Sequence, residues 1–156
     1  MDKNLKGGLF DGRGKPQPLA LRESAKREIT PEKKIQAKFI AWRNTHSREF
    51  PILKSIFSVP NGIWTFKSVA KSMIGQGMTA GIPDIICLAP SHDRRYHGLV
   101  IEFKNEKGTV SDEQEFFLGF FADLGYRTAI LRTEWEAARL VNEHLGIRVP
   151  IYPRGR

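Results

Sequence analysis

Residues 82–89 read IPDIICLA, and residues 98–104 read GLVIEFK. Each is a short apolar run bounded by glycine, proline or polar residues, which is the pattern of a buried strand. The polar stretch Ser91–His97 joins them, so the two runs are expected to pair as an antiparallel hairpin. Side chains alternate faces along a strand, which puts Glu102 and Lys104 on one side and Phe103 on the other. Hairpin pairing can bring Asp84 alongside them.

Working outward, Thr30 is a good helix cap and Pro31 suits the first helical position. The helix is expected to run to about Asn44. Ile35, Phe39 and Trp42 fall at i, i+4 and i+7 and mark its buried stripe. Glu32 and Gln36 lie in the middle of that stripe. An unpaired carboxylate on a core face is expensive, so Glu32 is either still wet near the helix start or met by a cation. Ser55–Val59 reads as a short strand, Pro60-Asn61-Gly62 as a turn, and Ile63–Gln76 as a helix or an irregular excursion. Downstream, Ser111 and Gln114 have capping-box spacing. Phe116, Phe117, Phe120, Phe121 and Leu124 form an apolar stripe read as core, with one edge open to a dimer contact. Gly125 ends that helix. Arg127–Leu131 is a strand, and Thr133 with Glu136 opens a last helix that ends before Gly146. The order α, β, (α), β, β, α, β, α gives a mixed α/β layer domain over residues 30–148. Residues 1–29 and 149–156 read as flexible basic tails.

The chain has 156 residues, one domain's worth, with 25 Lys+Arg against 17 Asp+Glu, a net charge of +8. One cysteine, Cys87, excludes a disulfide scaffold and a four-cysteine zinc site, and it reads as a small buried hydrophobe. His46, His92, His97 and His144 lack metal-ligand spacing. No phosphate-binding GxxxxGK[ST] loop is present, so no nucleotide cofactor is expected. No apolar run has the length of a membrane span, and the first residues lack a secretory apolar core. The expectation is a cytoplasmic domain, not bound to membrane, whose excess positive charge favours a polyanion, DNA first.

The chemistry sits in Asp84, Glu102 and Lys104. Two neighbouring carboxylates repel unless a cation lies between them. Mg²⁺ or Mn²⁺ suits such oxygen ligands, and the Phe103 carbonyl could add another. A lysine beside them can stabilise developing negative charge. Phosphodiester hydrolysis needs this combination. Glu102 and Lys104 equally fit a solvent-exposed ion pair worth about 0–1 kcal/mol, and the bare P-D…E-x-K pattern recurs by chance. Arg94, Arg95 and Lys107 are expected nucleic-acid contacts. Arg94 and Arg95 fit a solvated turn as well as a phosphate clamp. Trp42, Trp64 and Trp135 read as core or half-buried side chains rather than base-stacking platforms.

An ordered set of short pieces extends this pattern. It comprises Glu32 with Ile35-Gln36; Val59-Pro60-Asn61-Gly62; Gly77…Gly81-Ile82-Pro83-Asp84-Ile85; Gly98-Leu99-Val100-Ile101-Glu102-Phe103-Lys104; Gly108…Ser111…Gln114; and Gly125-Tyr126. In these pieces the sequence resembles the VRR-NUC domain, a branch of the PD-(D/E)xK nucleases, over about Pro31–Leu145. It is most similar to the small stand-alone members of phages and bacteria. The resemblance implies a restriction-endonuclease-like core, a central mixed sheet flanked by helices. It also implies metal ligation by Asp84, Glu102 and the Phe103 carbonyl, with Lys104 as the catalytic lysine. Glu32 would complete the site directly or through water. Gln114 would hold a water or a phosphate, or act only in its capping box. Asn61 and Gly62 would form the turn near the site, with Asn61 contacting DNA or the turn serving conformation alone, and Lys71 or Gln76 would face substrate. The implied activity is a Mg²⁺- or Mn²⁺-dependent endodeoxyribonuclease that selects branched DNA such as flaps or junctions. Symmetric cutting would need a homodimer. The alternatives are a non-catalytic DNA-binding module of the same fold and an RNA-directed nuclease.

Overall fold

The computed structural model describes residues 31–59 and 72–151. Thr30, the turn Pro60-Asn61-Gly62, Trp64, Lys71 and the stretch 1–29 lie outside the described residues. The elements are α1 (Pro31–His46), a 3₁₀ turn (Pro51–Ser55), β1 (Ile56–Ser58), β2 (Ile85–Cys87), β3 (Leu99–Phe103), α2 (Asp112–Asp123), β4 (Arg127–Leu131) and α3 (Glu134–Leu145). Residues 72–75 are also helical. The strands form one sheet in the order β1-β2-β3-β4. β1 with β2 and β2 with β3 are antiparallel, and β3 with β4 is parallel. The parallel step needs a crossover, which α2 supplies.

The hairpin forms as expected but with shorter strands. Only residues 85–87 of the run 82–89 join the ladder. Pro83 has no N–H to donate, so the ladder cannot extend back through it. All five residues of β3 are buried. Leu99, Ile101 and Phe103 join Phe39 of α1 and Ala137, Val141 and Leu145 of α3 in one core. Each of these side chains except Ala137 contributes about 1.5–3 kcal/mol on burial. Val100 and Glu102 therefore face the other way, where α2 lies and Gln114 reaches Glu102.

Both capping boxes are formed, Ser111 with Gln114 and Thr133 with Glu136. Gly146 closes α3 at φ 65°, a left-handed position that favours glycine. The phenylalanine stripe of α2 departs from the core reading. Leu118 is buried, whereas Phe116 is 64%, Phe120 47% and Leu124 49% exposed. The apolar arc is wider than the face the sheet can cover. Phe116 and Phe120 instead stack on each other at 6.2 Å.

The chain after Gly146 does not run free. Val149 joins the core at 2% exposure. Asn142 accepts from the Val149 N–H (3.1 Å) and donates to its carbonyl (2.8 Å). The Trp42 indole donates to the Pro150 carbonyl at 2.9 Å. The packed region thus extends past the boundary expected at residue 148. Among the described residues no helix is long and apolar enough to cross a membrane.

Candidate active site

Asp84 and Glu102 meet because of strand register. Ile85 pairs with Ile101, and one step further along the antiparallel ladder sets Asp84 opposite Glu102. Three backbone contacts fix Asp84. Its Oδ2 accepts the Phe103 N–H at 2.9 Å. Its carbonyl accepts from the Val59 N–H at 2.9 Å and from the Gln36 side-chain amide at 3.5 Å. Upstream, Gly81 turns the chain at φ +82°, and a Cβ there would lie 2.7 Å from Cβ of Glu113. The loop that delivers Asp84 therefore lies directly against the first turn of α2.

Glu102 is 2% exposed. Its Oε1 accepts from Lys104 Nζ at 2.7 Å and from the Gln114 side-chain amide. The Glu102–Lys104 pair has side-chain exposures of 3% and 12%, so it is not a solvent-exposed ion pair. Gln114 fills the capping-box role expected of it and also reaches Glu102. Its Oε1 accepts the Ser111 N–H at 3.1 Å, completing the capping box, while its Nε2 donates to Glu102. Glu102 Oε2 is buried and has no hydrogen-bond partner among the described residues.

Burial pushes the Asp84 carboxyl above its ordinary value. The Phe103 N–H and the Lys104 charge oppose this, and the nearby Glu32 charge adds to it. Burial likewise raises Glu102, with Lys104 opposing and Asp84 adding. A carboxylate pair held this way carries unfavourable charge, which a bound cation would relieve.

Glu32, in the first turn of α1, is half-buried. Its Oε1 accepts from the Asn105 backbone N–H at 3.2 Å and from the Asn105 side-chain amide. Among the described residues no three His, Cys, Asp or Glu side chains gather as a metal-holding group. Asp84 and Glu102 form the facing pair, and Glu32, held by Asn105, is near enough for its charge to act on Asp84. The Phe103 ring is wholly buried in the core, so any ligand role for Phe103 falls to its backbone. The donors present fit a hard divalent cation, and Glu102 Oε2, without a partner among the described residues, is the atom that most needs one.

Lys107 is exposed on the turn after β3, where its N–H donates to Asn105 Oδ1 at 2.8 Å. Arg94 and Arg95 lie on the connection between β2 and β3, at the end of the hairpin away from Asp84 and Glu102. Arg94 has a left-handed φ of 61°. Arg95 pairs with Asp93 at 2.6 Å. Gln76 bonds Ser72 at 3.0 Å. Asn61 and Lys71 are not among the described residues.

Two residues at the site were not singled out from sequence. Asn105 directly follows the E-x-K run, and that adjacency was the available signal. Arg132 is 27 positions further on and donates to the Asn105 carbonyl. No local pattern marks it. Only the parallel register, which pairs Phe103 with Leu131, brings Arg132 level with Lys104.

A search of curated proteins finds no match to the chain. Among solved structures, one described as a VRR_NUC domain protein superposes with a TM-score of 0.58 at 21% identity, covering 77% of this chain and 92% of that one. That likeness speaks for the fold. The family model of the VRR-NUC domain matches residues 20–135, spanning α1 through β4 and both facing carboxylates, and the chain therefore belongs to the VRR-NUC domain family.

Proposed function

We propose that the protein is a divalent-metal-dependent endodeoxyribonuclease of the cytoplasm that selects branched DNA such as flaps or junctions. The observation that carries this reading is the half-buried Asp84 facing the buried Glu102, with Lys104 on one Glu102 oxygen and no partner among the described residues on the other. Two charged groups inside a fold are a poor choice for stability alone, since apolar residues of similar volume do as well or better. Binding DNA does not require them either, which weighs against a module that only binds.

Asp84, Glu102 and the Phe103 carbonyl would hold Mg²⁺ or Mn²⁺. The ion when bound supplies Lewis-acid polarisation of the phosphoryl oxygen and a more acidic water. The chain's own groups do the rest. The Phe103 N–H fixes Asp84, and Lys104 with Gln114 fixes Glu102, so neither carboxylate must reorganise as charge develops. Lys104 stands beside the pair as a compact positive charge for the phosphate in the transition state. Glu32 sits close enough to influence Asp84 and offers a further carboxylate for ordering water. The +8 net charge favours association with the DNA backbone, weakening steeply with salt. The preference for branched substrates rests on the family resemblance. One active site cuts one strand, so a paired cut would take two copies of the chain.

The test is cleavage of labelled duplex, flap and four-way-junction DNA in Mn²⁺, with Lys104→Ala and Asp84→Asn as controls. The expected result is cutting of the branched substrates by wild type and loss of at least about 100-fold in either variant, the scale of losing an electrostatic stabiliser. Wild type that binds all three substrates and cuts none would leave a binding module as the correct reading.

A further inference from the structure

The contacts around Asn105 join three elements that the chain order keeps far apart. Glu32 enters from α1, Asn105 follows β3, and Arg132 follows β4. Asn105 gives both of its donors, backbone and side-chain amide, to the single oxygen Oε1 of Glu32. The Lys107 N–H on Asn105 Oδ1, at 2.8 Å, fixes which way the amide points. The Asn105 carbonyl accepts from Gly108 N at 3.1 Å and from the Arg132 guanidinium. A Cβ at Gly108 would come within 3.2 Å of Glu32 Oε1 and 3.3 Å of Lys104 Cδ, so the turn closes tightly over both side chains. Every hydrogen-bonding group of Asn105 is thus engaged, and two of them converge on the Glu32 carboxylate, which lies with Lys104 under the Gly108 turn.

We propose that Asn105, braced by Arg132, is a positioning residue that aims the Glu32 carboxylate at the metal-binding pair. The proposal rests on the nuclease reading above. A plain structural role for Asn105 would need only the turn, which the bond from Gly108 to its carbonyl already closes. Two donors on one Glu32 oxygen instead restrict the carboxylate's rotation and leave its other oxygen to act. Groups that orient a metal site from one step behind commonly alter affinity or activity by about 10–100-fold. Arg132 acts one bond further back, so its removal should have a smaller effect.

The experiment is a double-mutant cycle on the full chain with Asn105→Ala, Glu32→Gln and the double variant. Two readouts are taken: Mn²⁺ binding without DNA by calorimetry, and kcat and KM for cleavage. The expected result is about a 10-fold loss in Mn²⁺ affinity and in kcat for Asn105→Ala, with KM little changed. In the Glu32→Gln background the same substitution should have little further effect. Asn105→Ser, which can donate one bond, should recover part of the loss and guards against a variant that fails to fold. If wild type binds Mn²⁺ and cuts DNA while Asn105→Ala does so equally well, the positioning role is overturned and the nuclease reading stands. Equal losses with and without Glu32 would likewise overturn it, because Asn105 would then act by another route. If wild type neither binds Mn²⁺ nor cuts, the nuclease reading itself falls.

Discussion

Gln114 donates its side-chain amide to Glu102 while the oxygen of that same amide caps α2 through Ser111. One side chain therefore couples the start of a helix to a buried carboxylate on the sheet. The two roles separate by mutation. Gln114→Glu retains an acceptor for the Ser111 N–H but turns a second carboxylate toward Glu102. That charge repels Glu102, so the variant should melt below wild type at neutral pH, recover part of the loss as pH falls, and lower cleavage by at least about 10-fold, a loss of about 1.4 kcal/mol. Gln114→Ala should lose both features, with about 1 kcal/mol of stability going with the cap. Calorimetry and cleavage assays on the two variants check this.

Asp84 should trade stability for chemistry. Its carboxyl is raised above its ordinary value by burial. For an acid, a raised folded-state value means the folded protein holds its proton more tightly than the unfolded chain does. The charge therefore costs stability above the folded value, and that cost is relieved as pH falls through it. Asp84→Asn keeps an acceptor for the Phe103 N–H and removes the charge. At pH 7 without metal its melting temperature should rise by about 2–5 °C, the equivalent of roughly 1 kcal/mol, while cleavage is lost. A lower melting temperature would show that the charge is already well compensated in the free protein.

His144 makes the opposite prediction for pH. It is 1% exposed, bonds the Ala89 carbonyl through Nε2 at 2.9 Å, and has Nδ1 buried without a partner among the described residues. Since a carbonyl can only accept, Nε2 carries the proton and the neutral ring suits the site. Burial holds the imidazole below its ordinary value of 6.5. Below that value the unfolded chain takes up the proton first, so stability is fully present above about pH 6.5 and declines as pH falls toward the folded value. Urea unfolding at pH 7.5 and 5.5 should show this decline. In His144→Phe the portion due to this residue should be absent.

The outer face of α2 offers a contrast in packing. Phe116 and Phe120 are exposed, so Phe116→Ser and Phe120→Ser should each change stability by less than about 0.5 kcal/mol. Leu118→Ala should cost about 2–4 kcal/mol, because Leu118 is 8% exposed. Denaturant unfolding of the three variants tests which edge of the helix faces the sheet. A large loss at Phe116 would return the aromatic stripe to the core.

The hairpin and its two carboxylates were legible because apolar runs, a polar connection and side-chain alternation are local signals. Both capping boxes were legible for the same reason. The misread stripe on α2 came from counting apolar residues rather than asking how much surface the sheet could cover. The length of the packed region was missed because Val149 is held by Asn142 and Pro150 by Trp42, contacts invisible to composition. Glu32 stood out on its helix face, but its partner Asn105 lies 73 positions away. Arg132 carried no signal until the register of β3 and β4 placed it beside Lys104. Long-range pairing decides such contacts, and one sequence does not encode them as a pattern.

The most direct measurement for the central claim is the position of Mn²⁺ in crystals of the full chain, located by its anomalous scattering. The account predicts a single strong peak between Asp84 and Glu102, on the side of Glu102 Oε2, that disappears in Asp84→Asn. Mn²⁺ bound elsewhere, with cleavage surviving in Asp84→Asn, would contradict it.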